Sequence, residues 1–413
     1  RGIAVSGHMH GAVLVDAAGS VIRPCLLWND TRAVDQAARL DAEPAFRAIT
    51  GNIVFPGFTA PKVLWVRDNE RDAFDRITKI LLPKDYLNWW LTGRYANEMS
   101  DAAGSSWLDT GARAWSDDLI EASGISRDHL SDLVEGTSPV EELSAERARA
   151  LGLPQGVVVV GGAADNAAAA CGAGAFRAAE GFVSLGTSGV LLAACDGYSP
   201  APATAVHTFC HAIPGAWYQM GVTLCATDSL NWLAGLAGRR PAEMTAALAR
   251  DTGAPGRALF LPYLSGERTP HNDAAPRGTF LGLARSDGWP EMTRAVLEGV
   301  AYSQRDSLDA LGATGTRPER LLALGGGSRS DLWVDMLAQV LGVPIDRPKQ
   351  GDFGAALGAA RLAMIGAGGA RPADVLTPPP VERTFEPRPA DTDRWAEGRH
   401  RYANASSAIR NLT

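Results

Sequence analysis

Asp165 and Asn166 stand where this chain is best able to handle a proton. They follow Val157-Val158-Val159-Val160 and Gly161-Gly162-Ala163-Ala164, and they precede Ala167-Ala168-Ala169-Ala170-Cys171. A carboxylate at such a junction can accept a hydrogen bond or a proton from a substrate hydroxyl. Asp and Asn are also favoured at helix starts as N-caps, for local reasons alone, and a helix start favours the ionised form of Asp165. A second polar group is Ser6-Gly7-His8-Met9-His10-Gly11-Ala12. On a strand, His8 and His10 would share one face. A sugar or other polar ligand suits them better than a metal, since no Cys/His/Asp cluster lies near them in the sequence. Gly186-Thr187-Ser188-Gly189 can aim successive N–H groups at a phosphate, or serve only as a hairpin turn. Gly325-Gly326-Gly327-Ser328-Arg329-Ser330 leads into Asp331. It suits close approach of a nucleotide to the backbone but has neither GxGxxG nor P-loop spacing. The set is kinase-like, because phosphoryl transfer asks a protein mainly to position groups and neutralise charge. Asp165 would orient and deprotonate an acceptor hydroxyl, the 186–189 turn would hold phosphate oxygens, and the 325–331 turn would hold adenosine.

The elements that must carry these groups are those of an α/β chain. Four valines in a row predict a strand buried on both faces; the two glycines end it in a tight turn, and the alanines start a helix. Ligands of α/β sheets bind at such strand ends. The chain opens on a strand, Gly2-Ile3-Ala4-Val5, and 13–22 reads as strand, turn, strand. Residues 181–185 and 190–194 read as the two arms of the 186–189 hairpin. Helices are expected over 226–238, 241–251, 291–308, 331–341 and 392–411, and residues 115–152 look helical and exposed. Leu321-Leu322-Ala323-Leu324 is another buried strand. The run Gly351-Asp352-Phe353-Gly354-Ala355-Ala356 opens a helix whose small faces allow tight packing. Lys62 reads as a phosphate ligand or as a solvated or salt-bridged lysine. Glu98 and Asp101 belong to a polar loop whose carboxylates face a cleft. His207 and His211 share a face and read as packing residues.

Composition narrows the classes. At 413 residues, with 46% hydrophobic and 21% charged residues, the chain has room for two domains. Its net charge of -7 argues against a nucleic-acid binder that works by bulk positive charge. There is no run of 18 apolar residues to span a membrane and no visible signal peptide. Five scattered cysteines suggest reduced thiols in a cytoplasmic protein. No dinucleotide fingerprint follows any strand, which disfavours an NAD enzyme.

Several stretches together resemble the FGGY family of carbohydrate kinases. Gly57-Phe58-Thr59-Ala60-Pro61-Lys62-Val63-Leu64-Trp65-Val66-Arg67-Asp68-Asn69 is similar to the family's first signature. Gly278-Thr279-Phe280-Leu281-Gly282-Leu283, with Glu291-Met292 and Ala295-Val296-Leu297-Glu298, is similar to the second. Ser6 to Gly11, Leu82-Pro83-Lys84-Asp85-Tyr86-Leu87, Ser100-Asp101-Ala102-Ala103-Gly104 and Tyr263-Leu264-Ser265-Gly266-Glu267-Arg268-Thr269-Pro270-His271-Asn272 resemble members that phosphorylate D-xylulose. The resemblance implies two actin-like (ribonuclease H-like) α/β ATPase domains with a cleft between them. A sugar-binding domain would occupy 1–175 and a nucleotide-binding domain with a helical tail 176–413. It implies ATP and Mg²⁺, with D-xylulose, or another pentulose or a polyol, as acceptor. Met9, His10, Asp165 and Asn166 would hold the sugar, with Asp165 as base. Gly186, Thr187, Ser188, Gly189, Gly326, Gly327 and Asp331 would hold ATP. No metal ligand is assigned, and the resemblance admits a homodimer. Two departures stand out. His8 occupies a place where the family usually has Gln. No Asp-x-Gly-Thr phosphate loop, whose Asp helps to place Mg²⁺ in the family, precedes Arg1. The N-terminal domain is therefore expected to be incomplete, and a truncated, non-catalytic binder of sugar and nucleotide is the competing expectation.

Overall fold

Gly2–Ile3 runs parallel to Val158–Val160, which is antiparallel to Pro139–Glu142. A few residues on, the same two segments pair again, with Ser6–Gly7 parallel to Ala163–Ala164. Between the pairings lie Gly161 and Gly162. Gly162 has a φ of 80°, and a Cβ there would sit 2.1 Å from the Val5 carbonyl oxygen, so the position is open only to glycine. The glycines end the strand at Val160, as the sequence suggested, and after them the chain pairs again for two residues in a separate two-stranded sheet. This computed structural model describes residues 1–248, 252–349 and 354–412.

The other half is built on a seven-stranded sheet in the order His207–Cys210, Trp217–Thr223, Gly189–Cys195, Glu180–Leu185, Arg320–Leu324, Ile345–Pro348, Val381–Phe385. Glu180–Leu185 is antiparallel to Gly189–Cys195, closing at Leu185 opposite Gly189, and parallel to Arg320–Leu324. One core includes Val183, Leu191, Val296, Val300, Trp333 and Leu337, under the helices Trp289–Gly312 and Asp331–Leu341. A second core belongs to both halves: Phe182, Leu192, Phe209 and Tyr218 of the sheet pack with Ala164, Ala167 and Cys171.

Helix Ala355–Gly368 crosses helix Asp165–Ala173 at close range. A Cβ on Gly358 would lie 1.8 Å from the Ala168 carbonyl oxygen. The Arg361 guanidinium donates to the carbonyls of Cys171 (2.9 Å) and Gly172 (2.8 Å) at the C-terminal end of that helix. The small-residue run thus packs tightly, as expected, although Gly351, Asp352 and Phe353 lie outside the described residues. So do residues 249–251 of the helix expected over 241–251, which forms over Pro241–Ala246. The final helix is Thr392–Arg410, and the one expected over 291–308 runs Trp289–Gly312.

The stretch 115–152 is not simply helical. Helices Asp117–Ala122 and Ala145–Leu151 flank strands Leu133–Val134 and Pro139–Glu142. The second strand finds its ladder partner in Val158–Val160 and buries Val140, a tertiary pairing that overrides local propensity. Among the described residues no helix is long and apolar enough to cross a membrane, and the five cysteines carry free thiols.

Candidate active site

Pairing of Ala164 with Gly7 sets the two polar loops side by side: Asp165 follows one strand end, and His8 to His10 follow the other. Asp165 is the first residue of its helix. The N-cap is Ala164, and no side chain caps that end. The Asp165 carboxylate does not serve the helix, then; its Oδ1 accepts from the Asn166 backbone N–H (2.7 Å) and Nδ2 (3.0 Å). Oδ2 carries no hydrogen bond among the described residues. The side chain is reachable by solvent, yet the protein around it holds its pKa above the ordinary carboxylate range. Desolvation is the larger cause, opposed by the two Asn166 hydrogen bonds. The expectation that the helix start would favour the ionised form is corrected here: loss of hydration outweighs the helix-end field.

Beneath this junction lies a buried charge cluster. Lys84 Nζ stands 2.6 Å from Asp85 Oδ1, 3.6 Å from Asp101 Oδ2 and 3.7 Å from Glu98 Oε2, and all four side chains are inaccessible. Glu98 accepts from Ser100 N (2.8 Å), Asp101 N (3.1 Å) and Ser100 Oγ (2.8 Å), capping helix Met99–Ala102. Ser100 Oγ in turn accepts from Ala164 N at 3.0 Å, which ties the cluster to the residue before Asp165. Glu98 and Asp101 therefore do not face a solvent-filled cleft, because Lys84 and the helix-start amides hold them inside. Burial drives the Asp101 carboxyl well above its usual range, with Lys84 opposing and Asp85, Glu98 and Asp165 adding to it. One ammonium stands among three carboxylates, and neither oxygen of Asp101 has a hydrogen-bond partner among the described residues.

His10 has a φ of 73°. Its Nδ1 is 2.8 Å from the Gly104 carbonyl, which can only accept, so Nδ1 carries the proton. Burial pushes the ring's pKa down to about 3. The neutral ring thus presents Nε2 as an acceptor, and it stacks on Phe58 at 4.3 Å and 12°. The strand ends at Gly7, so His8 and His10 lie in the turn beyond it and not on a strand face. Met9 buries its side chain in the shared core. The His10 carbonyl accepts from Thr59 Oγ1 (3.0 Å) and Lys62 Nζ (2.7 Å), and Lys62 also donates to the carbonyls of Leu26 (3.1 Å) and Leu27 (3.0 Å). Among the described residues Lys62 is buried without a carboxylate partner, and its pKa is lowered to about 8 by that burial. It is neither a phosphate ligand nor a solvated or salt-bridged lysine but a clamp on three carbonyls.

His10 and Phe58 belong to an aromatic wall that both halves build and that was not foreseen: His10 lies 6.1 Å from Phe209, and Phe58 lies 6.0 Å from His207. His207 stacks on Phe209 at 5.2 Å and 15°, and Phe55 lies 5.4 Å from His207 and 5.5 Å from Phe58. The Arg268 guanidinium lies over the Phe55 ring at 4.7 Å. Alternation over 206–211 did mark His207 as inward-facing; nothing in the sequence marked Arg268 apart from its neighbours. His211 is structural, as read: Nε2 is 3.1 Å from the Ala175 carbonyl and Nδ1 accepts from Ile213 N.

The nucleotide candidates fall into two places. The carbonyls of Gly186 and Thr187 accept from Thr227 N (2.9 Å) and Ala226 N (2.8 Å) at the start of helix Thr227–Ala237. Thr187 and Ser188 are exposed, whereas Gly189 is buried against Gln304 and Thr223. Gly326 and Gly327 open a 3₁₀ turn, Gly326–Arg329, and line a cavity of about 370 Å³ with Thr227, Leu230, Asn231 and Trp333. Thr227 joins that cavity to the turn through its Oγ1, 2.7 Å from the Gly186 carbonyl. Asp331, ion-paired with Arg347 and Arg383, lines an adjoining cavity of about 820 Å³ that shares Thr245, Arg329 and Ser330 with the first.

Residues 1–172 match the family model for the N-terminal domain of the FGGY family of carbohydrate kinases, and residues 181–367 that for its C-terminal domain. The chain belongs to this family: it is a carbohydrate kinase with the actin-like pair of domains. It is 46% identical over 400 residues to the xylulose kinase of Escherichia coli (strain K12), covering 96% of this chain and 82% of that one. It is 44% identical over 417 residues to the xylulose kinase of Klebsiella pneumoniae, covering 100% and 86%. Among solved structures it superposes on a xyloylose kinase from Brucella ovis with a TM-score of 0.98 at 54% identity, covering 100% of this chain and 85% of that one. A xylulose kinase from Rhodospirillum rubrum follows, with a TM-score of 0.91 at 30% identity and coverage of 100% and 85%.

Proposed function

We propose that this chain transfers the γ-phosphoryl group of ATP to the terminal hydroxyl of D-xylulose, with Asp165 as general base. The observation that carries this reading is the Asp165 carboxylate, exposed just after a strand end and beside the His8–His10 turn. One of its oxygens is oriented by Asn166 and the other is left for a ligand. The kinship with xylulose kinases supports the choice of sugar. The sugar lies in residues 1–175, against the His8–His10 turn and Asn166. ATP lies in residues 176–413, with phosphates at the 186–189 turn and adenosine in the cavity of Gly326 and Gly327. As the hydroxyl oxygen bonds to the γ-phosphorus, the bond from that phosphorus to the ADP oxygen breaks, and the hydroxyl proton passes to Asp165. A carboxylate held above its usual pKa is the stronger acceptor for it. Closure of the two halves excludes water and so limits hydrolysis of ATP.

Mg²⁺ would be held chiefly by the phosphate oxygens of ATP and by water, since Asp165 Oδ2 is given to the acceptor hydroxyl in this reading. When bound it would neutralise phosphate charge. No group of three or more His, Cys, Asp or Glu suited to a dedicated metal cage occurs among the described residues.

Replacing Asp165 with Asn tests the assignment. The expected result is a fall in kcat of roughly 10²–10⁴-fold, with sugar binding largely kept. Stability at neutral pH should equal or exceed that of the parent. The folded-state pKa of Asp165 is raised, so its contribution to stability is lost as pH rises through that value, and Asn never bears that cost. Turnover within a few fold of the parent would overturn the assignment of Asp165. Calorimetric binding of sugar and nucleotide without turnover of any ketose or polyol would instead favour a non-catalytic binder.

A further inference from the structure

We propose that Arg268 is a specificity-determining residue, which binds the C1–C2 end of an acyclic ketose, remote from the hydroxyl being phosphorylated. The inference rests on the reading of the cleft as a sugar site. Arg268 comes from the C-terminal half, yet its guanidinium lies over Phe55 of the N-terminal half at 4.7 Å. Phe55 is 5.5 Å from Phe58, which stacks on His10 at 4.3 Å. Arg268 and His10 therefore share one aromatic wall. Among the described residues the guanidinium forms no ion pair and no hydrogen bond. Five N–H donors in a fixed fork thus stand beside the sugar loop, hydrogen-bonded to no other group among the described residues and open to a ligand.

The backbone on both sides of Arg268 is pinned. Glu267 Oε1 accepts from Leu224 N (2.9 Å) and Arg268 N (2.8 Å), and Glu267 Oε2 accepts from Ser303 Oγ (3.1 Å). Thr269 N donates to the Val222 carbonyl at 3.0 Å, and Thr269 Oγ1 both accepts from Val222 N and donates to the Ala205 carbonyl. Glu267 and Thr269 thus face the sheet and are buried, while the side chain between them projects to the cleft wall. The other cation of this wall, Lys62, is spent on three carbonyls. His10 and His207 are both held neutral by burial, with the Arg268 charge acting on each. The free donors therefore belong to Arg268. A ketose offers there a carbonyl oxygen next to a hydroxyl, a vicinal pair of acceptors that a planar fork can take together. A polyol has no carbonyl to give.

The test compares D-xylulose with xylitol, which differs at C2, by calorimetric binding to the full chain, so that no turnover is needed. In Arg268→Met the D-xylulose Kd should rise about 10- to 100-fold, the worth of one or two charge-assisted hydrogen bonds. The xylitol Kd should move less than about threefold, so the preference for the ketose largely disappears. Arg268→Lys should recover part of it, ATP affinity should not change, and the unfolding temperature should stay close to the parent's. Equal weakening of both sugars, or of neither, would overturn the role of Arg268 while leaving the sugar-site reading intact. A parent protein that binds neither sugar would overturn that reading and this inference with it.

Discussion

A buried ammonium with no carboxylate is costly, and Lys62 shows what the cost supports. Its three protons meet three carbonyls, of His10, Leu26 and Leu27, and the His10 carbonyl belongs to a residue held at a positive φ. Lys62→Met should leave those carbonyls short of donors, lowering stability by about 1–3 kcal/mol and weakening sugar binding more than ATP binding. The parent should also show a pH signature. With a pKa of about 8, the ammonium gives way to an amine with two donors as pH rises through that value, and sugar affinity should fall. Stability should move the other way. Because the folded pKa lies below the unfolded one, the fold is relieved of a buried charge between about pH 8 and 10.5. Sugar titrations against pH, beside melting curves, would check both halves of this, and the inflection in affinity should be missing from Lys62→Met.

At the scale of elements, the glycines of the 186–189 turn do different work. A Cβ on Gly189 would lie 2.2 Å from Gln304 Nε2 and 2.5 Å from Thr223 Oγ1, while one on Gly186 would meet only Ser188 O at 3.4 Å. Gly189→Ala should therefore cost about 1–3 kcal/mol of stability by overpacking. Gly186→Ala should fold normally, and any loss should appear in ATP affinity alone; denaturation and nucleotide binding on the two variants would separate the effects. The sequence showed the hairpin plainly, since two apolar arms flanked by glycines leave little else. It also showed the helix over 331–341 and the strand end before Asp165. It could not show that pairing resumes after Gly161 and Gly162, because the partner strand, Ser6–Gly7, lies far away in the chain. It could not show that Glu98 and Asp101 are inside, because their partner is Lys84 on another helix. Nor could it show Phe55, His207 and Arg268 as one wall: each is ordinary in its own segment, and only folding brings them together.

At the scale of the whole molecule, the two halves are joined where Gly358 meets Ala168. Gly358→Val should press a side chain into a backbone carbonyl that stands 1.8 Å from the position of its Cβ. The helices must then separate, and Arg361 must release the carbonyls of Cys171 and Gly172. The expected result is a loss of several kcal/mol of stability, or, where the chain still folds, weaker binding of sugar and nucleotide together with no residue of either pocket altered. Thermal unfolding and the two affinities measured on one preparation would check it, and a variant as stable as the parent with both affinities intact would count against this crossing as the joint.

The crossing is so close that it leaves almost no play, and a joint without play behaves as a fulcrum. One arm, the helix that starts at Asp165, carries the proposed base; the other belongs to the half proposed to carry ATP. A small rotation about Gly358 and Ala168 then moves Asp165, three residues along its helix from Ala168, relative to the other half. Whichever ligand arrives first and narrows the gap also moves the other's binding groups toward their closed places. Sugar and nucleotide should therefore assist each other's binding by an equal factor in both directions, with leverage in place of any relay of side chains between the pockets.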